Sequence, residues 1–250
     1  MNIKRITSVI RYLSWSTPIY NWKIRRNECP LCGKSYFIYF DSDPFMIRCL
    51  KCKCTITNLS LIPVIKEHIK GNYNYSVYEL SSYGSTLDFL KSHFKNVVAS
   101  EYFPKKNFGD FVNGIMNQDV QNLTFKDNSF DIITSNQVFE HVENDIKGFA
   151  ECFRVLNKGG ALIFSVPLYN TEKTTKIASV IKGKIVFDGG EPEYHDSRLD
   201  GAKSAPVFYR HSINDICERV KSVGFSEVVL REVYIVKKQK SPQLVVYALK

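Results

Sequence analysis

Two Cys-x-x-Cys pairs constrain this chain more than any other feature. Cys29-Pro30-Leu31-Cys32 and Cys49-Leu50-Lys51-Cys52 stand sixteen residues apart. Each pair forms a tight knuckle that aims two thiolates at one point, and two knuckles at this separation build a tetrahedral zinc site. Gly33, directly after Cys32, permits the backbone that such a turn needs. Four sulfur ligands leave no open position, so the site reads as structural. Cys54 is an alternative to Cys52, but the Cys-x-x-Cys spacing favours Cys52. Five of the seven cysteines lie between Cys29 and Cys54. A local cluster of that kind is no spread disulfide framework and points to a reducing, cytoplasmic compartment. Residues 27–58 therefore read as a zinc ribbon. A basic segment, 1–26, precedes it, and a connector, 59–75, partly helical over Ile65–Ile69, follows.

From residue 76 onward, strand and helix patterns alternate. Val77–Leu80, Val97–Ser100, Gly114–Met116, Phe130–Thr134 and Ala161–Val166 read as strands, several of them unbroken apolar runs. Thr86–Phe94 has helical spacing, with Leu87, Leu90 and Phe94 on one face. A second helix follows Asn144, with Ile146, Phe149, Ala150, Phe153 and Leu156 inward, and Gly159-Gly160 stop it. A third is capped by Ser212 and ends before Gly224. Glu227–Val236 and Leu244–Leu249 close the chain as an antiparallel pair. Alternation of this kind implies a Rossmann-like α/β domain. We expect a mostly parallel seven-stranded sheet with helices on both faces over 76–250. Residues 168–210, rich in Gly, Pro and charge, break the rhythm as an insertion.

The first strand ends in Glu79-Leu80-Ser81-Ser82-Tyr83-Gly84-Ser85, and a helix follows. In such sheets ligands bind at the carboxyl ends of the strands, near the switch in strand order. A dinucleotide needs Gly-x-Gly-x-x-Gly so that a pyrophosphate can approach the backbone. Ser81 and Tyr83 crowd that approach, which counts against NAD and FAD. Glu101, at the end of the second strand, suits both hydroxyls of a ribose. Asp119, with Val120, follows the third strand at a position suited to an adenine edge.

Gln118-Asp119-Val120, Asn128-Ser129-Phe130-Asp131-Ile132, Phe139-Glu140-His141-Val142 and Phe153-Arg154-Val155-Leu156-Asn157-Lys158-Gly159-Gly160 resemble class I S-adenosylmethionine-dependent methyltransferases. The likeness is greatest to small-molecule enzymes of the quinone-biosynthesis type and covers about residues 76–235. It implies S-adenosylmethionine as cofactor. Glu79 matches the acid that opens the family's glycine-rich motif. Ser81 and Tyr83 stand where the family has glycines, and Gly84 is the nearest glycine. Glu101 matches the ribose acid, Asp119 and Val120 the adenine pair, and Asn136 and Gln137 the strand end beside the methionine moiety.

Methyl transfer requires an acceptor held in line and, for oxygen or nitrogen acceptors, a proton removed. His141 is a candidate base, or packs at the start of the following helix. Glu193, Tyr194, His195 and Asp196 bring two acids, a phenol and an imidazole together in the insertion. There His195 reads as the second candidate base, and Glu193, Tyr194, Asp196 and Arg210 as acceptor-binding groups. Arg198 either joins them or pairs with the acids. Cys152 and Cys217 read as core.

The formal net charge is +9. Lys4, Arg5, Arg11, Lys23, Arg25 and Arg26 place six of those charges in the first 26 residues, with no acid among them. A basic tail can meet RNA, an anionic membrane surface or a partner, or fold back as a solvated helix. Ile3, Ile6, Ile10 and Leu13 give it helical spacing. No apolar run is long enough for a membrane span or a signal peptide. The expected partner is a small-molecule acceptor of sugar, lipid-linked or secondary-metabolite type. Two alternatives remain: an RNA methyltransferase using ribbon and tail, and a non-catalytic zinc-binding adaptor on a degenerate methyltransferase fold.

Overall fold

The computed structural model describes residues 22–197 and 201–250. The helical reading of the first residues, except Trp22, and the role of Arg198 lie outside them. The chain begins with a three-stranded antiparallel ribbon, β1 (Lys23–Cys29), β2 (Gly33–Tyr39) and β3 (Ile47–Cys49). Helices α1 (Ile56–Leu59) and α2 (Leu61–Ile69) follow. Thr55 caps α1 by accepting the Asn58 N–H. The segment expected to be a connector is thus largely helical, and Leu61, Ile62 and Ile65 in it are fully buried.

The main sheet contains β4 (Ser76–Glu79), β5 (Asn96–Glu101), β6 (Phe111–Val112), β7 (Ile115–Asn117), β8 (Phe130–Asn136) and β9 (Leu156–Ser165). Between them run α3 (Ser85–His93) and α4 (Asp145–Val155). The insertion holds short strands: β10 (Leu168–Tyr169), β11 (Thr175–Lys176), β12 (Ala178–Ile181), β13 (Lys184–Phe187), β14 (Tyr194–Ser197), β15 (Gly201–Pro206) and β16 (Tyr209–Ser212). Helix α5 (Ile216–Lys221), β17 (Glu227–Val233) and β18 (Gln243–Leu249) complete the chain.

The sheet has eight strands in the order β17-β18-β9-β8-β4-β5-β7-β6, not the seven expected. The additional strand is β6, two residues paired antiparallel to β7 across the Asn113-Gly114 turn. It is too short to show in a pattern of apolar residues. Strands β7, β5, β4, β8 and β9 run parallel; β18 runs antiparallel to β9, and β17, antiparallel to β18, runs in the same direction as β9. Strand order reverses at β4, which lies between β5 and β8.

Both faces of the sheet are covered, and the strands show it residue by residue. Val77, Ile132, Ala161, Ile163 and Val245 face one apolar cluster. Tyr78, Ile133, Leu162, Phe164 and Val246 face the other. Side chains alternate across a strand, so apolar neighbours in sequence mean apolar layers on both sides. Each fully buried Ile, Leu or Phe contributes about 1.5–3 kcal/mol. The first cluster also takes in Phe37, Ile47, Cys29 and Cys49 of the ribbon. Ribbon and sheet therefore share one core. Polar ties join them as well: Asn27 accepts the Lys237 N–H at 2.8 Å, and Tyr39 donates to the Lys237 carbonyl at 3.2 Å.

Two boundaries differ from expectation. Helix α4 ends at Val155, and β9 starts at Leu156 rather than Ala161. Gly159, at φ +78°, accompanies a register shift in the β8–β9 pairing instead of closing the helix. Ser212 ends β16 and caps no helix; α5 begins after Asp215. There the Asp145 carboxylate, fully buried at the start of α4, accepts from Arg219 Nη2 with both oxygens, at 2.6 and 2.7 Å. The tie between α4 and α5 places the shorter helix, where apolar spacing alone suggested a longer one.

Candidate active site

A cleft opens at the carboxyl ends of β4, β5 and β8, at the point where strand order reverses. Glu79, Ser81, Gly84, Glu101, Asn136 and Gln137 all line it. Asp119 and Val120 are not among its lining residues. The Asp119 carboxylate accepts the Gln121 backbone N–H at 2.8 Å, and Val120 packs in the second apolar cluster.

Glu101 organises the loop that carries the cofactor motif. Its Oε1 accepts the Ser82 N–H at 2.7 Å, the Ser82 hydroxyl at 3.0 Å and the Ser81 hydroxyl at 3.3 Å. Ser81, which stands where the resemblance puts a glycine, and its neighbour Ser82 thus act as donors to the acid on the next strand. Gly84 stands at φ +113°, ahead of α3, and a Cβ there would meet no atom within 4 Å. The approach to the first turn of the helix is therefore open, although the other glycines are absent. Gln137 has φ +58°. Its backbone N–H bonds to the Ser165 carbonyl at 2.9 Å and its Nε2 to the Ser165 hydroxyl at 3.2 Å, which holds the end of β8 in that conformation.

Glu79 is fully buried and accepts a short hydrogen bond from the Thr134 hydroxyl. Burial pushes its carboxyl up to about 8. Thr86 also lines the cleft, and its buried hydroxyl has no hydrogen-bond partner among the described residues.

Sequence reasoning missed Asn58. It lines the cleft from α1, and its carbonyl accepts the Ser85 hydroxyl at 2.5 Å. No motif marks it, because packing of the helical segment on the sheet brings it there. Tyr102, directly after β5, and Ser197 and Ala205 of the β14–β15 hairpin also line the cleft.

The insertion closes the other end. His141 and Asp196 line the cleft, and the His195 ring lies 4.9 Å from that of His141. Burial drives the His141 imidazole down to about 4, so it is neutral near pH 7. Its Nδ1 lies 2.7 Å from the Pro206 carbonyl. Glu193 forms a bidentate pair with Arg210, at 2.8 Å to Nε and 2.7 Å to Nη2. Asp196 accepts the Lys203 N–H at 2.9 Å, within the β14–β15 hairpin. Tyr194 is partly exposed and packs against Phe187. Between the two histidines sits Glu140, named in the sequence only as part of a resembling run. It is 1% exposed, and neither carboxylate oxygen has a hydrogen-bond partner among the described residues. Burial pushes its carboxyl up to about 8.

At the far end of the molecule, Cys29, Cys32, Cys49 and Cys52 present their sulfurs within 4.8 Å of one another. Cys54 is outside this group, and its thiol donates to the Cys52 carbonyl at 3.5 Å. Burial pushes the Cys29 thiol up to about 11 and those of Cys32 and Cys52 to about 12. Thiols gathered this closely resist ionising together unless a cation offsets their charge.

Comparisons with known proteins agree with this architecture. Residues 79–164 match the methyltransferase domain family. Malonyl-[acyl-carrier protein] O-methyltransferase 1 of Coxiella burnetii is 31% identical over 124 residues. That match takes in 49% of this chain but only 36% of the relative's length. A solved S-adenosylmethionine dependent methyltransferase from Mesorhizobium loti superposes with a TM-score of 0.51 at 15% identity, over 76% of this chain and 98% of that one. A structure from Listeria monocytogenes assigned to the same class gives 0.51 at 12% identity, over 77% and 97%. The fold is that of class I S-adenosylmethionine-dependent methyltransferases. Most of the residues that line the cleft fall within the span that matches the methyltransferase domain family. No helix among the described residues is long and apolar enough to cross a membrane.

Proposed function

We propose that this chain transfers a methyl group from S-adenosylmethionine to a small-molecule acceptor bound in the cleft. One observation carries the reading: Glu79, Gly84, Glu101 and Asn136, from separate strand ends and loops, meet around one cleft where strand order reverses. The donor set fits the cofactor. An open glycine, a ribose-facing carboxylate and an unpartnered Thr86 hydroxyl suit a nucleoside that brings no pyrophosphate. Glu101 would hold the ribose hydroxyls. Asn136, Gln137 and Glu79 would hold the methionine moiety. When bound, S-adenosylmethionine supplies an electrophilic methyl on a sulfonium. The protein's own work is to orient the acceptor and exclude water. His141, His195 and Asp196 stand at the acceptor end, and Glu193, Tyr194 and Arg210 border it. The relative's name specifies an oxygen acceptor, which accords with polar groups suited to orient or ionise a hydroxyl. Calorimetry with S-adenosylhomocysteine tests the reading: submicromolar to micromolar binding is expected, and no detectable binding would refute it.

The four-cysteine cluster completes the proposal. We infer that Cys29, Cys32, Cys49 and Cys52 hold a structural Zn2+. The support is four sulfurs converging within 4.8 Å of one another, with Cys29 and Cys52 Sγ 3.8 Å apart and Cys32 and Cys49 Sγ 3.5 Å apart. Cobalt substitution checks it through the thiolate-to-metal absorption band, which Cys29→Ser should abolish.

A further inference from the structure

Glu140 brings a carboxylate into the interior with no donor for either oxygen among the described residues. Burying an ionised carboxylate alone is strongly unfavourable. Two imidazoles face it, each beyond hydrogen-bond distance. The Pro206 carbonyl can only accept, so the contact at 2.7 Å fixes the proton on His141 Nδ1 and leaves the Nε2 lone pair toward Glu140. His195 presents Nε2 to the Glu193 carboxylate at 3.7 Å and Nδ1 to Glu140. Glu140 Oε1 lies 3.7 Å from His141 Nε2 and 3.9 Å from His195 Nδ1. With the His195 proton on Nε2, toward Glu193, three lone-pair atoms converge within 4.8 Å of one another. Electron pairs aimed at a common point require something positive between them. Metal bonds of ~2.1 Å set tetrahedral ligand atoms ~3.4 Å apart, so the two Glu140–imidazole separations need close by only a few tenths of an ångström.

The geometry points to a divalent transition-metal site formed by Glu140, His141 and His195, with open coordination positions that take an oxygen of the methyl acceptor. Two imidazoles and one carboxylate are the donor set of zinc and ferrous ions with free positions, and suit Mg2+ or Ca2+ poorly. The outer partners follow the usual design: the Pro206 carbonyl and the Glu193 carboxylate orient the rings through their other nitrogens. Arg210 in turn holds Glu193. His141 lines the cleft, so the open positions face the space where the acceptor binds. The ion assignment stands on these side chains alone; the acceptor assignment rests on the methyl-transfer reading. A coordinated hydroxyl loses its proton to water more readily. Its oxygen pair then forms the O–CH3 bond while the C–S pair returns to sulfur, leaving S-adenosylhomocysteine.

Zinc content after equilibrium dialysis tests the site in the full chain. Glu140→Gln and His195→Asn should each hold one ion per chain fewer than wild type, with the cobalt–thiolate absorption of the ribbon unchanged. His195 lies half-exposed on a hairpin, so its variant keeps the test open if Glu140→Gln fails to fold. Equal zinc content in wild type and His195→Asn would overturn the site and make Glu140 a protonated acid that donates to His141. S-adenosylhomocysteine calorimetry on the same samples reports separately on methyl transfer. Absent cofactor binding with the ion difference intact would sink that reading and leave the ion site standing.

Discussion

The Glu101 carboxylate, at the end of one strand, accepts the backbone N–H of Ser82 at 2.7 Å, in the loop leaving the neighbouring strand. One acid therefore shapes the loop and, in the proposed cofactor site, would also face the nucleoside. Hydrogen bonds to a charged group contribute about 1.5–3 kcal/mol. Glu101→Gln keeps the shape and loses the charge. It should weaken S-adenosylhomocysteine binding about tenfold, equivalent to about 1.4 kcal/mol. Calorimetry showing unchanged affinity would remove Glu101 from the cofactor site.

Gly84→Ala separates strain from space. The added methyl meets no atom, yet φ +113° is a region that L side chains rarely adopt. Holding alanine there costs about 1–3 kcal/mol. Urea unfolding should show a loss of that size without cofactor. Wild-type stability in the variant would mean that the loop relaxes freely.

Glu79 makes stability depend on pH with a definite sign. Burial raises its folded value to about 8 from the usual carboxyl range. Between roughly 4.5 and 8 the folded state binds a proton that the unfolded state has released, so stability falls as pH rises through that window. Glu79→Gln carries no such proton. The variant should gain on wild type steadily from pH 5 to 8 in denaturant titrations, and parallel curves would contradict the assignment.

Arg219→Ala should be costly for a surface-reaching residue. It leaves Asp145, fully buried, without the Nη2 that contacts both its oxygens at 2.6 and 2.7 Å. Removing one member of such a pair costs about 3–5 kcal/mol. The double variant Asp145→Asn/Arg219→Met should recover much of the loss. Equal stability of the single variant and wild type would show that the pair does not hold α4 to α5.

Metal removal should act beyond the ribbon. Phe37, Ile47 and Cys49 share an apolar cluster with Ile65, Val77 and Phe89 of the main domain. Chelation or Cys29→Ser should therefore lower a single melting transition of the whole chain, by roughly 5 °C or more. Two separate transitions, with the later one unmoved, would show that the ribbon folds apart from the sheet.

The residues themselves determined whatever depends on local spacing. Knuckle spacing alone brought out Cys29, Cys32, Cys49 and Cys52, because each pair closes its own turn. The β4, β5, β8 and β9 strands were legible because burial on both faces makes them continuously apolar. Glu79 and Glu101 were legible because strand ends fix where such acids must lie. Only tertiary structure decided the rest. Asn58 reaches the cleft because α1 packs on the sheet, and no local pattern records that. Asp119 and Val120, placed in the site by motif, lie outside the residues that line it. Glu140 gains its meaning only when the hairpin returns His195, fifty-five positions later, to the side of His141. A carboxylate's lack of partners is a property of everything that surrounds it, and no stretch of sequence contains those surroundings.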